Sequence, residues 1–395
     1  MVAMVKLGEV CDTGIQNLAA RNLPDEFSYI DISSIDNQSK RIVTPAQVRR
    51  ENASPRARQL IRSGDVLVSS VRPNLNAVAM VPAELDGQIG STGFCLLRAG
   101  KNLDRDYLFL WVCSNTFITA LTDLTKGALY PAVTDKQVLA QTLPLPPLPE
   151  QQRIAARLKA QLAEVEAARS AANAARKAAD QLSKAVLREA FVGITGGNRL
   201  GDVLLDIQAG KSLQTLERKA DAEEPGILKV SAVSWGKFDP DEAKATEAQQ
   251  CDPAWSVRAD DFIISRANTL ELVGAVVIAQ DDYPLRFLSD KLLRLVLNRN
   301  LVDPVFMLFQ LRGEMARTFI ESNATGTSQS MRNIGQGVIR DIPVWLPPLL
   351  EQQCIAARLK VQLVEVETAR GAVQTRLEAI DNLPQRLLAE AFERV

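Results

Sequence analysis

Between residues 146 and 191 the apolar side chains recur at three- and four-residue steps: Ile154, Leu158, Leu162, Val165, Ala168, Ala172, Ala175, Ala179, Leu182 and Val186. That spacing puts them on one stripe of an α-helix. A second stripe with the same steps runs through Ile355, Leu359, Leu363, Val366, Ala369, Val373, Ile380, Leu383 and Leu387. Prolines 146, 147 and 149, and likewise 347 and 348, precede or open the stripes, where a missing N–H costs nothing. Glu150 and Glu351 place negative charge at the positive end of each helix dipole. About 43 residues at 1.5 Å each make a rod of roughly 60 Å. One narrow stripe on such a rod must be buried against another helix, and the obvious partner is the other stripe. Small side chains over residues 167–179 allow close approach at mid-length. Pro384 stands where the first stripe has Ser183, so a bend or restart is expected near Asp381-Asn382-Leu383.

The two stripes are copies. Pro146-Pro147-Leu148-Pro149-Glu150-Gln151-Gln152-Arg153-Ile154-Ala155-Ala156-Arg157-Leu158-Lys159 returns as Pro347-Pro348-Leu349-Leu350-Glu351-Gln352-Gln353-Cys354-Ile355-Ala356-Ala357-Arg358-Leu359-Lys360. The match runs without a gap to Glu189-Ala190-Phe191 and Glu390-Ala391-Phe392, and more than half of its positions are identical. The chain is therefore duplicated. The segments outside the copies are mixed α/β by pattern. Ser63-Gly64-Asp65-Val66-Leu67-Val68-Ser69-Ser70 and Ala259-Asp260-Asp261-Phe262-Ile263-Ile264-Ser265 read as equivalent turn-then-strand elements. Tyr107-Leu108-Phe109-Leu110-Trp111 and Pro304-Val305-Phe306-Met307-Leu308-Phe309 read as equivalent apolar helices. Lys6-Leu7-Gly8-Glu9-Val10 resembles Arg199-Leu200-Gly201-Asp202-Val203, and Thr142-Leu143-Pro144 and Ile342-Pro343 close the segments. The expected fold is mixed α+β: a head over residues 1–145, a first repeat helix over 146–197, a second head over 198–346 and a second repeat helix over 347–395. The helices are expected to pack as an antiparallel coiled coil with pseudo-two-fold symmetry.

Composition narrows the chemistry. At 395 residues the chain is too long for one ordinary core. Hydrophobic content of 46% and charged content of 24% fit a soluble globular protein and exclude a disordered or fibrous one. The absence of histidine removes His-based acid–base work, Ser–His and Cys–His nucleophile pairs and the commonest zinc ligand sets. Cys11, Cys95, Cys113, Cys251 and Cys354 are scattered and never spaced CxxC, as expected of reduced thiols in a cytosolic protein. No apolar stretch follows the N-terminus and none approaches the ~18 residues of a membrane span, so neither a signal peptide nor a membrane is expected. A net charge of −1 argues against nonspecific polyanion binding and leaves room for local basic patches.

With the doubled Pro-Pro-Leu-x-Glu-Gln-Gln-x-Ile-Ala-Ala-Arg-Leu signature and the alternation of unlike heads with like helices, nearly the whole chain resembles the specificity subunit of a type I restriction–modification enzyme. The resemblance implies that each head is a target recognition domain reading one half of a split sequence in double-stranded DNA. It implies helices that set the spacer and dock two methylation subunits, with motor/cleavage subunits joining that core. The chain itself would be non-catalytic and hold no cofactor. S-adenosylmethionine, ATP and Mg would belong to the partners. The sequence agrees in lacking an Asn-Pro-Pro-Tyr-type methylation motif and a Walker Gly-Lys-Ser/Thr loop, and Pro240-Asp241-Glu242-Ala243-Lys244 is too compressed for a metal-binding nuclease core.

Candidate DNA contacts follow from residue type. In the first head Lys40, Arg41, Arg49, Arg50, Arg56, Arg58, Arg62 and Arg72 face only Glu51 and Asp65 within that interval. Arginine pairs bidentately with guanine or clamps phosphate, although such a run also suits a solvated helix face. Asn74 and Asn76, in Arg72-Pro73-Asn74-Leu75-Asn76, could read adenine or merely stabilise a turn. Lys126 and Tyr130 lie in a polar loop ahead of the first repeat. The second head carries excess acid, which must face away from phosphate or bind another subunit. Its candidates are Lys211 and Ser212, then Arg266, Asn268 and Thr269, aligned here with the Arg72 loop, and Ser328, Gln329, Arg332 and Asn333 in a Gly/Ser-rich loop. Trp235 is read as core.

On the repeats, Glu150, Gln151, Arg157 and Glu164 recur as Glu351, Gln352, Arg358 and Glu365. They read either as solvated and intrahelical pairs or, because both copies keep them, as docking positions for other subunits. Two other functions compete with DNA reading: a two-headed coiled-coil protein-binding adaptor, and a carboxylate-based hydrolase in one head. Steep loss of duplex binding with salt would mark DNA. Indifference to salt would mark the adaptor, and activity without partners the hydrolase.

Overall fold

The computed structural model describes residues 2–393 except Thr13, Ala128, Leu129, Ile194, Thr195, Gly196, Trp235, Gln329 and Ser330. In the first head the chain opens on a strand, Met4–Lys6, paired antiparallel with Thr142–Pro144, so the head is closed where it begins. A short helix, α1 (Leu7–Val10), leads into an antiparallel sheet ordered Cys11–Asp12, Phe94–Ala99, Val66–Ser69, Val78–Met80. A second sheet is ordered Ala46–Arg49, Glu26–Ile30, Ile89–Ser91, Ala57–Leu60, its central pair parallel and its flanks antiparallel. The strand Val66–Ser69 is buried at every position, which its uninterrupted apolar run anticipates. Helices α2 (Arg105–Val112), α3 (Asn115–Asp123) and α4 (Asp135–Leu139) pack on the first sheet through Tyr107, Leu108, Phe117, Leu121 and Val138. Asp104, Ser114 and Thr134 cap them, each side chain accepting from a backbone N–H of the first turn.

The first repeat forms one helix, α5 (Leu148–Ala190), of 43 residues. The second head repeats the first head's topology on a different sequence. Asn198–Arg199 pairs with Pro343–Val344 to close it. One antiparallel sheet is ordered Leu204–Ala209, Leu292–Leu297, Phe262–Ser265, Val276–Ile278. The other is ordered Ala243–Ala245, Gly226–Leu228, Tyr283–Phe287, Ser256–Val257, again with a parallel central pair. Helices α6 (Pro304–Arg312), α7 (Glu314–Asn323) and α8 (Gln336–Asp341) stand where α2 to α4 stand in the first head. One expectation is corrected. The Gly/Ser-rich segment ahead of the second repeat is no open loop, because Thr325–Ser328 and Met331–Asn333 pair antiparallel and the latter continues onto Ala267–Asn268. Gln329 and Trp235 lie outside the described residues.

The second repeat breaks where its proline requires, into α9 (Leu349–Asp381) and α10 (Leu383–Glu393). By contacts the chain divides into two units, Met1–Asn173 with Thr375–Val395, and Ala174–Gln374. Each unit therefore holds one head, the opening of the repeat that follows it and the ending of the other repeat. Phe392 ends the second repeat and packs edge-on against Tyr107 and Trp111 of the first head, with ring centroids 5.4 and 5.0 Å apart. Phe191 ends the first repeat and meets Phe306 of the second head at 5.9 Å. In the first unit Arg169 of α5 lies 3.8 Å from Asp381 of α9, and in the second Arg370 of α9 lies 3.9 Å from Asp180 of α5. Arg169 and Arg370 occupy equivalent positions of the repeat, as do Asp180 and Asp381, so each copy gives what the other receives.

Candidate nucleic-acid interface

A shared internal frame fixes the outer face of each head. In the first, the buried Asp65 takes a bidentate pair from Arg98 at 2.7 and 2.8 Å and accepts the Arg62 N–H. In the second, Asp261 takes Arg294 at 2.7 Å and accepts the Arg258 N–H. Gly64 and Asp260 precede these acids with φ of +87° and +65°, the left-handed turn that launches the buried strand. Past the strand, Val133 donates to the Ser70 carbonyl and Arg72 to the Pro131 carbonyl. In the second head Ile334 donates to the Arg266 carbonyl, and Asn268 faces Arg332 in the ladder. Ser70 therefore matches Arg266, and Arg72 matches Asn268. The alignment of Arg266 with Arg72 is off by two residues.

In the first head that end of the strand gathers part of the basic run. Arg72 is exposed with φ of +49°, and its backbone bond to Pro131 sets the exposed Tyr130 beside it. Thr92 donates to the Arg56 carbonyl while Ser70 donates to Gly93, which brings the exposed Arg56 to the same end. Lys40 reaches the Asn76 carbonyl at 2.5 Å and holds the turn of the 35–42 hairpin there, leaving Arg41 exposed. Burial lowers the pKa of the Lys40 ammonium, so Lys40 is an internal tie and not a free contact. Asn76 is likewise structural: its amide donates to the Cys113 carbonyl, which rules out the two-bond reading of adenine, whereas Asn74 is exposed. The rest of the run lies elsewhere. Arg49 pairs with Glu26 and Arg50 with Asp25 at a sheet edge, acids that lie outside the interval from Lys40 to Arg72. Arg58 is half-buried on the Ala57 carbonyl, and Arg62 stands at the opposite end of the buried strand. None of them sits on an α-helix, and Arg50 only opens a single 3-10 turn, Arg50–Asn52, so the solvated-helix alternative does not describe this run. Lys126 pairs with Asp123.

In the second head Asn268 is corrected in the same way. It is buried, its amide donates to Ser234 and its oxygen accepts the Thr269 N–H, so no edge remains for a base. Arg266, Thr269, Arg332 and Asn333 are half-buried around it, with Arg332 donating to the Gly326 carbonyl at 2.8 Å. Ser328 is exposed on the hairpin, and Lys211 and Ser212 are exposed beyond the strand Leu204–Ala209. Two cations missed in the sequence join this end. Lys291 lies beside Arg266, whose N–H bonds the Lys291 carbonyl, and Lys237 follows the Ser234 segment that holds Asn268. The signal for Lys291 was the Ser289-Asp290-Lys291 turn before a strand, visible only once the ladder register is known.

On the repeats, two docking candidates are corrected. Gln151 and Gln352 are 0% exposed and fully engaged. The Gln151 amide donates to the Asn102 and Pro146 carbonyls at 3.0 and 2.8 Å and accepts the Asp104 N–H at 2.8 Å. Gln352 repeats this on Leu301, Pro347 and Asp303 at 3.0, 2.8 and 2.9 Å. Both clamp a helix start to its own head and cannot meet another subunit. Glu150 is paired with Arg153, which pulls its pKa below the ordinary value. Glu351, Arg157, Glu164, Arg358 and Glu365 are exposed and form no ion pair among the described residues. Among those residues no cluster of acids and cysteines could hold a metal ion, and no helix is long and apolar enough to cross a membrane.

Comparison with known proteins bears on this architecture. Residues 2–172 match the family described as the type I restriction modification DNA specificity domain. The StySPI specificity subunit of Salmonella potsdam is 24% identical over 315 residues, 76% of this chain and 67% of that one. The EcoKI specificity subunit of Escherichia coli (strain K12) is 23% identical over 317 residues, with the same coverage of 76% and 67%. The HsdS subunit from Thermoanaerobacter tengcongensis, 28% identical, superposes with a TM-score of 0.60 over 99% of this chain and 96% of that one. A chain solved in a study of complex assembly and conformational transition of the type I R-M system, also 28% identical, gives 0.80 over 99% and 97%. A doubled head of one topology, a doubled helix and these likenesses agree: residues 2–172 carry the family's DNA specificity domain, and the chain as a whole is similar to the specificity subunits of type I restriction–modification enzymes.

Proposed function

We propose that each head reads one half of a bipartite sequence in double-stranded DNA, and that the paired repeat helices, as an antiparallel coiled coil, set the unread gap. The observation that carries this reading is one head topology used twice with two different outer faces. Unlike faces on a repeated frame suit an asymmetric target. The exchanged pairs Arg169–Asp381 and Arg370–Asp180 support a pseudo-two-fold relation, in which contacts are made reciprocally. Half-sites on one duplex face recur every ~34 Å, and a helix of 43 residues, roughly 60 Å long, is of the right scale. The domain plan is the one the repeats define: heads over 1–145 and 198–346, helices over 146–197 and 347–395.

The chain supplies specificity and no chemistry. Two methylation subunits would dock on the repeats through the exposed copies Glu351, Arg157, Arg358, Glu164 and Glu365, and motor/cleavage subunits would join them in the cytoplasm. S-adenosylmethionine, ATP and Mg would be held by those partners. Co-expression with the neighbouring methyltransferase, followed by genome-wide mapping of methyladenine, tests the reading. Two short blocks around an unread gap are expected. A map with one continuous block, or duplex binding indifferent to salt, would overturn it and favour the adaptor.

A further inference from the structure

The corrected register pairs two residues that sequence alone leaves unrelated. Pro131 accepts from Arg72, and Arg332 sits opposite Asn268, at the same place in the two heads. One residue earlier stand Tyr130 and Met331. Tyr130 is 81% exposed and Met331 48%, and neither joins the hydrophobic cores of its head. A large side chain left in water by its own fold, twice, at one position of a duplicated frame, needs an external partner more than a scattered exposed apolar residue does. Cations accompany both: exposed Arg72 beside Tyr130, and Arg332 next to Met331, with Arg266 and Lys291 further along the same ladder, at Ile334. A partner with apolar surface inside a phosphate shell fits that combination, and a nucleic-acid duplex offers it in thymine methyl groups and base edges.

We infer that Tyr130 and Met331 are the apolar base contacts of the first and second heads, with the neighbouring cations holding phosphate. This rests on the DNA-reading function proposed above and names the residues through which apolar readout is made. Methyladenine maps are recorded for the full chain with its methylation subunits, as wild type, Tyr130→Ala, Tyr130→Phe, Met331→Ala and Met331→Leu. Tyr130→Ala is expected to relax or weaken one sequence block only, with site occupancy down about fivefold or more, and Met331→Ala the other block only. Tyr130→Phe and Met331→Leu keep the apolar surface and should retain the wild-type map. Both alanine variants should keep the wild-type thermal midpoint and co-purify with the methylation subunits. Unchanged maps for both alanine variants would overturn the inference while leaving the split motif standing. So would loss of co-purification, which makes the position a protein contact, or a lowered midpoint, which makes it structural. A wild-type map without a split motif sinks the reading itself and this inference with it.

Discussion

Gln151 and Gln352 show how one buried amide can decide the direction of a long helix. Each fills three backbone partners at once, so removing it leaves an N–H and two carbonyls unmatched in the interior. Gln151→Ala and Gln352→Ala should each lower stability by about 1–3 kcal/mol, seen as a fall in the thermal midpoint, whereas Gln152→Ala, on the exposed neighbour, should leave it unchanged. Glu224 offers a test by pH. Its carboxylate is held by Arg218 and by the Asp221 N–H, which lowers its pKa from 4.5 to about 2. A lowered carboxyl pKa means the pair is intact above the ordinary value and is lost as pH falls through about 2. The Glu224 carboxyl resonance should titrate near 2 and return toward 4.5 in Arg218→Ala. At this scale the sequence misleads where partners are distant. Arg49 and Arg50 look unopposed in a linear window because Glu26 opens the neighbouring strand and Asp25 stands just before it. Asn268 looks like a reader because polar side chains in a short string carry no mark of burial.

The elements divide by how local their cause is. Both repeat helices are legible from three- and four-residue steps, and the break at Asn382 from Pro384, since period and proline act within a few residues. The restart has a use: the Gln385 side chain accepts the Asn115 N–H at 3.0 Å and donates to the Cys113 carbonyl at 3.1 Å, tying α10 to the junction of α2 and α3. The hairpin Thr325–Ser328 with Met331–Asn333 is illegible for the opposite reason. Glycine and serine there suggest a loop, and the strand state depends on Ala267–Asn268, some sixty residues away in sequence. Phe392 is the buried anchor of α10. Phe392→Ala should cost about 3–5 kcal/mol and expose α10 to limited proteolysis. Phe191→Ala should cost less, because Phe191 is only half-buried.

At the scale of the molecule, duplication is the most legible fact and the reading faces are the least. Repeated residues reveal themselves by identity, while the faces differ because they meet different surroundings. The proposed frame can be probed through its reciprocal ion pairs. Arg169→Asp should weaken the protein slightly, by about 1 kcal/mol or less for a pair 3.8 Å apart whose Asp381 is exposed and whose Arg169 also bridges Glu166, and adding Asp381→Arg should restore part of it. A thermal double-mutant cycle measures that coupling, and a cycle with no coupling would count against the pairing. The glutamine clamps carry a further meaning. Every atom they grip on a head is main-chain: the Asn102 carbonyl and Asp104 N–H, or the Leu301 carbonyl and Asp303 N–H. The socket is blind to side chains, so a foreign head that offers the same turn before its first long helix can be plugged into the same scaffold, and target preference is free to drift without the hinge being rebuilt.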